Sequence, residues 1–218
     1  KPIPLIVPVL GGNEWGYIKD CLDTNWVSSV GSYVDRFEAE FATRIGATQA
    51  VSVVNGTAAL HLALEVSGVL PGDEIFVSTL TFIAPVNAIR YVGAHPILVD
   101  AEPMYWQMDT DGLATFIETH CEYVRGELTN SRTGRRVKAI LPVSILGHPV
   151  DMDPIRALAD KHKLAVIEDA TESFGARYKE KPVGTLADIA CFSFNGNKLM
   201  TTGGGGMISS SDTALMDK

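Results

Sequence analysis

Apolar residues recur along this chain with two alternating periods. Short β-branched or apolar runs stand out first: VSVV at 51–54, EIFVST after the PGDE turn at 71–74, HPILVD, KAILPVSIL, LAVIED and IACFSF. Between them, apolar positions repeat every three or four residues. In AALHLALEVSG, Leu60, Ala63 and Leu64 share one helical face, and Gly68 stands where a C-terminal cap belongs. FIAPVNAIRYVG reads as a helix closed by Gly93, another runs from about Asp109 to Val124, and DPIRALADKHK forms a further one. RGELTNSRTGRR has loop composition, and GMISSS reads as a late strand. Near-continuous apolar strands separated by helices predict an α/β fold, a three-layer α/β/α sandwich around a mainly parallel sheet. In the final SSSDTALMDK, Ser211 or Asp212 caps a helix that has only begun, so a longer protein is expected beyond Lys218.

Composition narrows the classes. The chain has 218 residues, 46% hydrophobic and 20% charged, enough for one large domain with a substantial core. Its net charge of -8 gives no electrostatic footprint for nucleic acid or an anionic membrane. Cys21, Cys121 and Cys191 lie far apart and form no CxxC pair, which speaks against a disulfide framework or a thiolate metal site. They fit reduced thiols of a cytoplasmic protein. The opening KPIPLIVPVL carries prolines and no cleavage site, and no run is long enough to span a bilayer, so no targeting signal is expected.

In doubly covered sheets, ligands gather outside the C-terminal ends of the strands, and three polar features fall there. NGT at 55–57 joins a strand to a helix start. It reads either as a phosphate cradle of backbone amides or as a turn that needs Asn-Gly for its geometry. VIEDATESFGA places Glu168 and Asp169 at a strand end, as local caps or as a carboxylate facing a cationic heterocycle nitrogen. SFNGNKLMTTGGGGM holds Lys198 between an apolar run and four glycines, as a solvated lysine or as an amine set against a carbonyl. Pyridoxal 5′-phosphate unites the functional readings: its aldehyde needs a lysine, its ring nitrogen a carboxylate and its phosphate a helix N-terminus. The chain has no GxGxxG after its first strand and no GxxxxGK[ST], so dinucleotide and Walker sites lack their defining residues.

The blocks NGTAALHLAL, PGDEIFVSTLTFIAPVNAI, GAHPILVD, GHPVDMDPI, VIEDATESFGARY and SFNGNKLMTTGGGGM, in this order from about Trp26 onward, resemble the DegT/StrS-type sugar aminotransferases. These are fold type I pyridoxal-phosphate enzymes. The resemblance implies a seven-stranded sheet, with residues 1–218 forming the cofactor-binding large domain, an N-terminal segment at about 1–30, and a C-terminal small domain not present in this chain. It makes Lys198 the Schiff-base lysine and Asp169 the partner of the pyridine nitrogen. Gly56, Thr57 and Ser193 would hold the phosphate, Phe82 would stack on the ring, and Glu172 would lie near the phenolic oxygen, where many members carry glutamine. Ser28, Ser29 and Gly31 in WVSSVG match a segment lining the sugar-nucleotide side. Asn195 and Asn197 orient the lysine loop or serve its turn.

The chain has GGGG where many members have GEGG, and Lys198 where dehydratase relatives have histidine. SFNGNK, TTGGGG, VSSVG and the TGRR loop look like the branch acting in legionaminic acid and bacillosamine-type pathways. That branch implies a UDP-linked 4-keto-6-deoxy-N-acetylhexosamine as amine acceptor, L-glutamate as donor and a homodimer. The alternatives are another fold type I enzyme and a non-catalytic or truncated relative. His148 in GHPVD stays unassigned, and Arg135 and Arg136 read as solvated loop charges or as contacts to a diphosphate.

Overall fold

The computed structural model describes residues 2–4 and 7–218. Lys1, Leu5 and Ile6, part of the KPIPLIVPVL stretch read for targeting, lie outside the described residues. The elements run α1 (Glu14–Asp23), α2 (Ser32–Ile45), β1 (Gln49–Val53), α3 (Gly56–Val66), β2 (Glu74–Ser78), α4 (Ile83–Tyr91), β3 (His95–Val99) and α5 (Thr110–His120). They continue with β4 (Cys121–Val124), β5 (Glu127–Asn130), β6 (Val137–Leu141), a 3-10 turn (Ile145–Gly147), α6 (Met152–His162) and β7 (Ala165–Asp169). β8 (Arg177–Tyr178), β9 (Lys181–Pro182), β10 (Ile189–Ser193), β11 (Gly206–Ser210) and α7 (Thr213–Met216) complete the chain.

Seven strands form one sheet in the order β1-β11-β10-β7-β6-β2-β3, and β11 alone runs antiparallel to its neighbours. The three-layer expectation therefore holds, and the reason is visible in the strands. Alternate side chains enter opposite layers. Ile75, Val77, Leu141, Ile167 and Cys191 pack under α3 and α4 against Leu60, Leu64 and Ile89. Phe76, Ile140 and Val166 point the other way, against Leu113 of α5 and Ile155 of α6. Phe192 and Met207 meet Phe41 and Ile45 of α2 on that second face. Full burial of each such side chain stabilises the fold by about 2 kcal/mol before entropy is counted.

Some boundaries differ from the sequence expectation. The helix expected from Asp109 to Val124 stops at His120, and the expected loop is partly a hairpin of β4 and β5. Arg125 and Gly126 turn it with φ of 53° and 86°, the left-handed pair that a two-residue hairpin requires. KAILPVSIL ends as a strand at Leu141, because Pro142 has no amide for a sheet ladder. Asp212 caps α7, accepting from the amides of Ala214 and Leu215 at 2.9 and 3.3 Å.

Gly206 opens β11 against the β1–α3 turn. A Cβ there would lie 2.5 Å from the carbonyl carbon of Asn55 and 2.9 Å from the Gly56 nitrogen. Both are backbone atoms, so a side chain at 206 has to push the turn itself. Gly206→Ala is expected to destabilise the protein by about 2–3 kcal/mol, a drop of roughly 5–10 °C in Tm. A thermal melt within 1 °C of the wild type, on the order of experimental error, would contradict this packing.

Candidate active site

The C-terminal ends of β1, β7 and β10 come together at a cavity of about 300 Å³ lined by Asn55, Gly56, Thr57, Phe82, Asp169, Thr171, Glu172, Ser193, Asn195, Asn197 and Lys198, with Leu60 and Ala84. Every residue assigned by resemblance to catalysis or cofactor binding is among them. The Asn55 side chain accepts from the Ala58 amide at 2.8 Å and starts α3, which leaves the amides of Gly56 and Thr57 without an acceptor among the described residues. The helix dipole adds positive potential there. Gly56 is needed for closeness: a Cβ would stand 2.9 Å from that of Ser193 and 3.1 Å from the Thr171 methyl carbon. Helix start and Ser193 hydroxyl thus offer neighbouring donors to one cavity, an arrangement that can hold an anion.

Asp169 ends β7 only 4% exposed. Its Oδ1 accepts from the Thr171 amide at 3.1 Å, while Oδ2 accepts no hydrogen bond among the described residues. Burial raises its pKa; the Thr171 hydrogen bonds and the charge of Lys198 oppose that rise. Lys198 sits in the loop after β10, its backbone amide donating to the Asn195 carbonyl at 2.9 Å. The Asn195 side chain donates to Oδ1 of Asn197 at 2.9 Å, so both asparagines serve the loop turn as well as the cavity wall. Lys198 Nζ donates to Glu172 Oε1 at 3.1 Å, and Glu172 Oε2 accepts from the Leu146 amide at 2.8 Å. Phe82, the residue before α4, leaves 72% of its surface exposed, an aromatic face available for stacking.

Other residues fall elsewhere. Ser28, Ser29 and Gly31 do not line the Lys198 cavity: they lie in the turn entering α2, with Ser28 on a separate apolar groove beside Tyr17, Trp26 and Phe37. Gly31, at φ 138°, is required by the Trp26 indole, which a Cβ would strike at 1.8 Å. His148 stacks on Tyr105 with centroids 5.1 Å apart, in a different cleft. Arg135 and Arg136 are ion-paired to Glu74, and to Asp73 and Glu127, at the N-terminal ends of β2 and β6. The diphosphate reading for that pair is thereby corrected: they lie at the opposite end of the sheet from the cavity.

Two contributors escaped sequence reading. Thr171 was hidden in an ordinary turn. The Leu146 amide reaches Glu172 from a leucine at φ 55°, and no residue type announces that backbone state. Glu168, beside Asp169 in sequence, points to the other sheet face. It is 1% exposed, and burial pushes its carboxyl up to about 7 against hydrogen bonds from Ser144 and Gly184. Among the described residues, no His, Cys, Asp and Glu cluster could hold a metal ion.

An amine, a buried carboxylate and a free helix N-terminus thus meet around one cavity, in a fold shared with fold type I pyridoxal-phosphate aminotransferases. The chain belongs to the DegT/DnrJ/EryC1/StrS aminotransferase family, whose model matches residues 8–218. Members of this family depend on pyridoxal 5′-phosphate, and the residues present fit that group. The chain is 46% identical to GDP-perosamine synthase of Escherichia coli O157:H7, over 100% of this chain and 56% of that protein. It is 45% identical to GDP-perosamine synthase of Caulobacter vibrioides, over 99% of this chain and 54% of that one. The X-ray structure of an aminotransferase from Psychrobacter cryohalolentis superposes with a TM-score of 0.83 at 33% identity, covering 95% of this chain and 49% of that one. The chain thus spans about half the length of the curated relatives it matches.

Proposed function

We propose that this chain carries the cofactor site of an aminotransferase that moves an amino group from L-glutamate to a nucleotide-linked keto sugar, at C4. The observation that carries this reading is the convergence of Lys198, Asp169 and the amides of Gly56 and Thr57 on one cavity. When bound, the cofactor supplies an aldehyde that carries the amino group and a ring that accepts electrons from the reacting carbon. Gly56, Thr57 and Ser193 would hold its phosphate, and Phe82 would cover one face of the ring. Asp169 would keep a proton on the ring nitrogen through its open oxygen. Glu172 orients the Lys198 amine and would neighbour the phenolic oxygen. Lys198 would bond the aldehyde, and its amine would take up and return the proton at the reacting carbon as base and then acid.

The branch features of the sequence suggest a UDP-linked 4-keto-6-deoxy-N-acetylhexosamine. Two relatives at 46% and 45% identity bear the name GDP-perosamine synthase, and on that ground a GDP-linked sugar is the favoured acceptor. The 28–31 turn, with Ser28, Ser29 and Gly31, enters as the sugar-nucleotide side of a pocket completed in a homodimer, because within one chain it stands apart from the Lys198 cavity. We place the enzyme in the cytoplasm, acting on small molecules. Among the described residues no helix is long and apolar enough to cross a membrane.

The test offers L-glutamate with GDP-linked and UDP-linked 4-keto-6-deoxy sugars side by side and identifies products by mass spectrometry. Ping-pong kinetics, glutamate-dependent release of 2-oxoglutarate and an amino product from the GDP sugar are expected. Amination of the UDP sugar alone would reverse the carrier assignment. No 2-oxoglutarate with either sugar would contradict the transaminase reading.

A further inference from the structure

Outside the cofactor pocket, Glu168 is the most deeply buried carboxylate that the mechanism leaves unused, among the described residues. Its Oε1 accepts from the Ser144 hydroxyl at 2.9 Å and its Oε2 from the Gly184 amide at 3.0 Å. Ser144 is itself a junction. Its amide donates to the Asp169 carbonyl at 3.0 Å, and its hydroxyl oxygen accepts from the Val150 amide at 3.4 Å. Glu168 therefore holds Ser144, whose hydroxyl joins the two ends of the 144–150 loop. That loop contains Leu146 at φ 55° and Gly147 at φ 80°. A non-glycine residue holds the left-handed region only where its surroundings overdetermine it. The Leu146 amide is the donor on Glu172 Oε2 at 2.8 Å, and Glu172 Oε1 is the acceptor for Lys198 Nζ at 3.1 Å.

We infer that Glu168 is a positioning residue: through Ser144 it holds the 3-10 turn in the conformation that presents the Leu146 amide to Glu172, and so sets the orientation of the Lys198 amine. The path runs by hydrogen bond from Glu168 to Ser144, along the backbone of residues 144–146, and by hydrogen bonds from the Leu146 amide through Glu172 to Lys198. The tie needs hydrogen bonding rather than a full charge. A glutamine at 168 can accept from the Gly184 amide and donate to the Ser144 oxygen, whereas alanine can do neither. The proposal rests on the assigned role of Lys198 only for its functional meaning, since the geometry itself is a property of the protein without cofactor.

The experiment is reductive methylation of the cofactor-free protein by formaldehyde and cyanoborohydride, with the rate at Lys198 read by peptide mass mapping against Lys138 and Lys181 as internal references. Glu168→Ala is expected to raise the relative rate at Lys198 about threefold to tenfold by loosening Glu172, and Glu168→Gln to restore it. In a Glu172→Ala background, Glu168→Ala is expected to change nothing further, because the step it acts through is gone. A purely structural role would instead give equal effects at all lysines, or effects that multiply in the double variant, and either result overturns the inference. Ser144→Ala, which keeps the backbone amide on Asp169, provides a milder second variant should Glu168→Ala fail to fold, and an unchanged Lys198 rate there also overturns it. Pyridoxal phosphate is added in parallel to unmethylated portions of the same preparations. Failure of the wild type to bind it, with the methylation pattern intact, rejects the functional reading and leaves the positioning role standing.

Discussion

Lys198→Ala is expected to lower amino transfer by at least about 10⁴-fold, because in the proposed mechanism it removes both the amine that bonds the cofactor aldehyde and the base that moves the proton. Lys198→Arg separates these roles from simple charge. Arginine can keep an ion pair with Glu172, which now accepts from Lys198 at 3.1 Å, yet a guanidinium does not condense with an aldehyde. Both variants are expected to be inactive in steady-state assays of 2-oxoglutarate release. Activity in either, within about tenfold of the wild type, would remove Lys198 from the chemistry.

The second large effect is at Asp169. Asp169→Asn is expected to reduce turnover by about 10³-fold, since an amide cannot keep the ring nitrogen protonated as a carboxylate does. Stability should move the other way. Burial raises the folded-state pKa of Asp169 above its unfolded value, so the folded protein holds that proton more tightly than the unfolded chain. The resulting stabilisation is present below the unfolded value and is lost as pH rises through the folded one. Glu168 acts in the same direction, from about 4.3 in an unfolded chain up to about 7 in the fold. Without cofactor, Asp169→Asn removes part of this alkaline penalty while its side-chain oxygen can still accept from the Thr171 amide. Thermal melts of the cofactor-free variant at pH 8 should therefore match or exceed the wild type. Undiminished turnover would cancel the proposed role of Asp169, and a large loss of Tm would show that its charge is already compensated.

Much of this was legible because it depends on local pattern. The alternation of apolar residues in EIFVS and LAVIED is what sends Ile75 and Phe76, or Ile167 and Val166, into different layers. Asn55, Gly56 and Thr57 carry their own signal, a cap followed by a helix start. The six sequence blocks brought Asp169, Ser193 and Lys198 together before any distance was known, and the cavity contains all three. The hairpin at Cys121–Asn130 was obscured because its turn uses Arg125 in a left-handed state that usually falls to asparagine or glycine. The Leu146 contact with Glu172 was invisible for a related reason: it is made by a backbone amide, whose direction depends on φ and ψ and not on the side chain. Glu168 and Asp169 looked like one acidic pair, and only strand alternation separates the buried tie from the site carboxylate.

The central claim is that Lys198 bonds the cofactor in the cavity shared with Asp169 and the start of α3. Its most direct test is borohydride reduction of the protein loaded with pyridoxal 5′-phosphate, followed by peptide mass mapping. The account predicts a single phosphopyridoxyl adduct, on Lys198, with loss of the visible-edge absorption band on reduction. An adduct on another lysine, or a bound cofactor that leaves Lys198 unmodified, would contradict it.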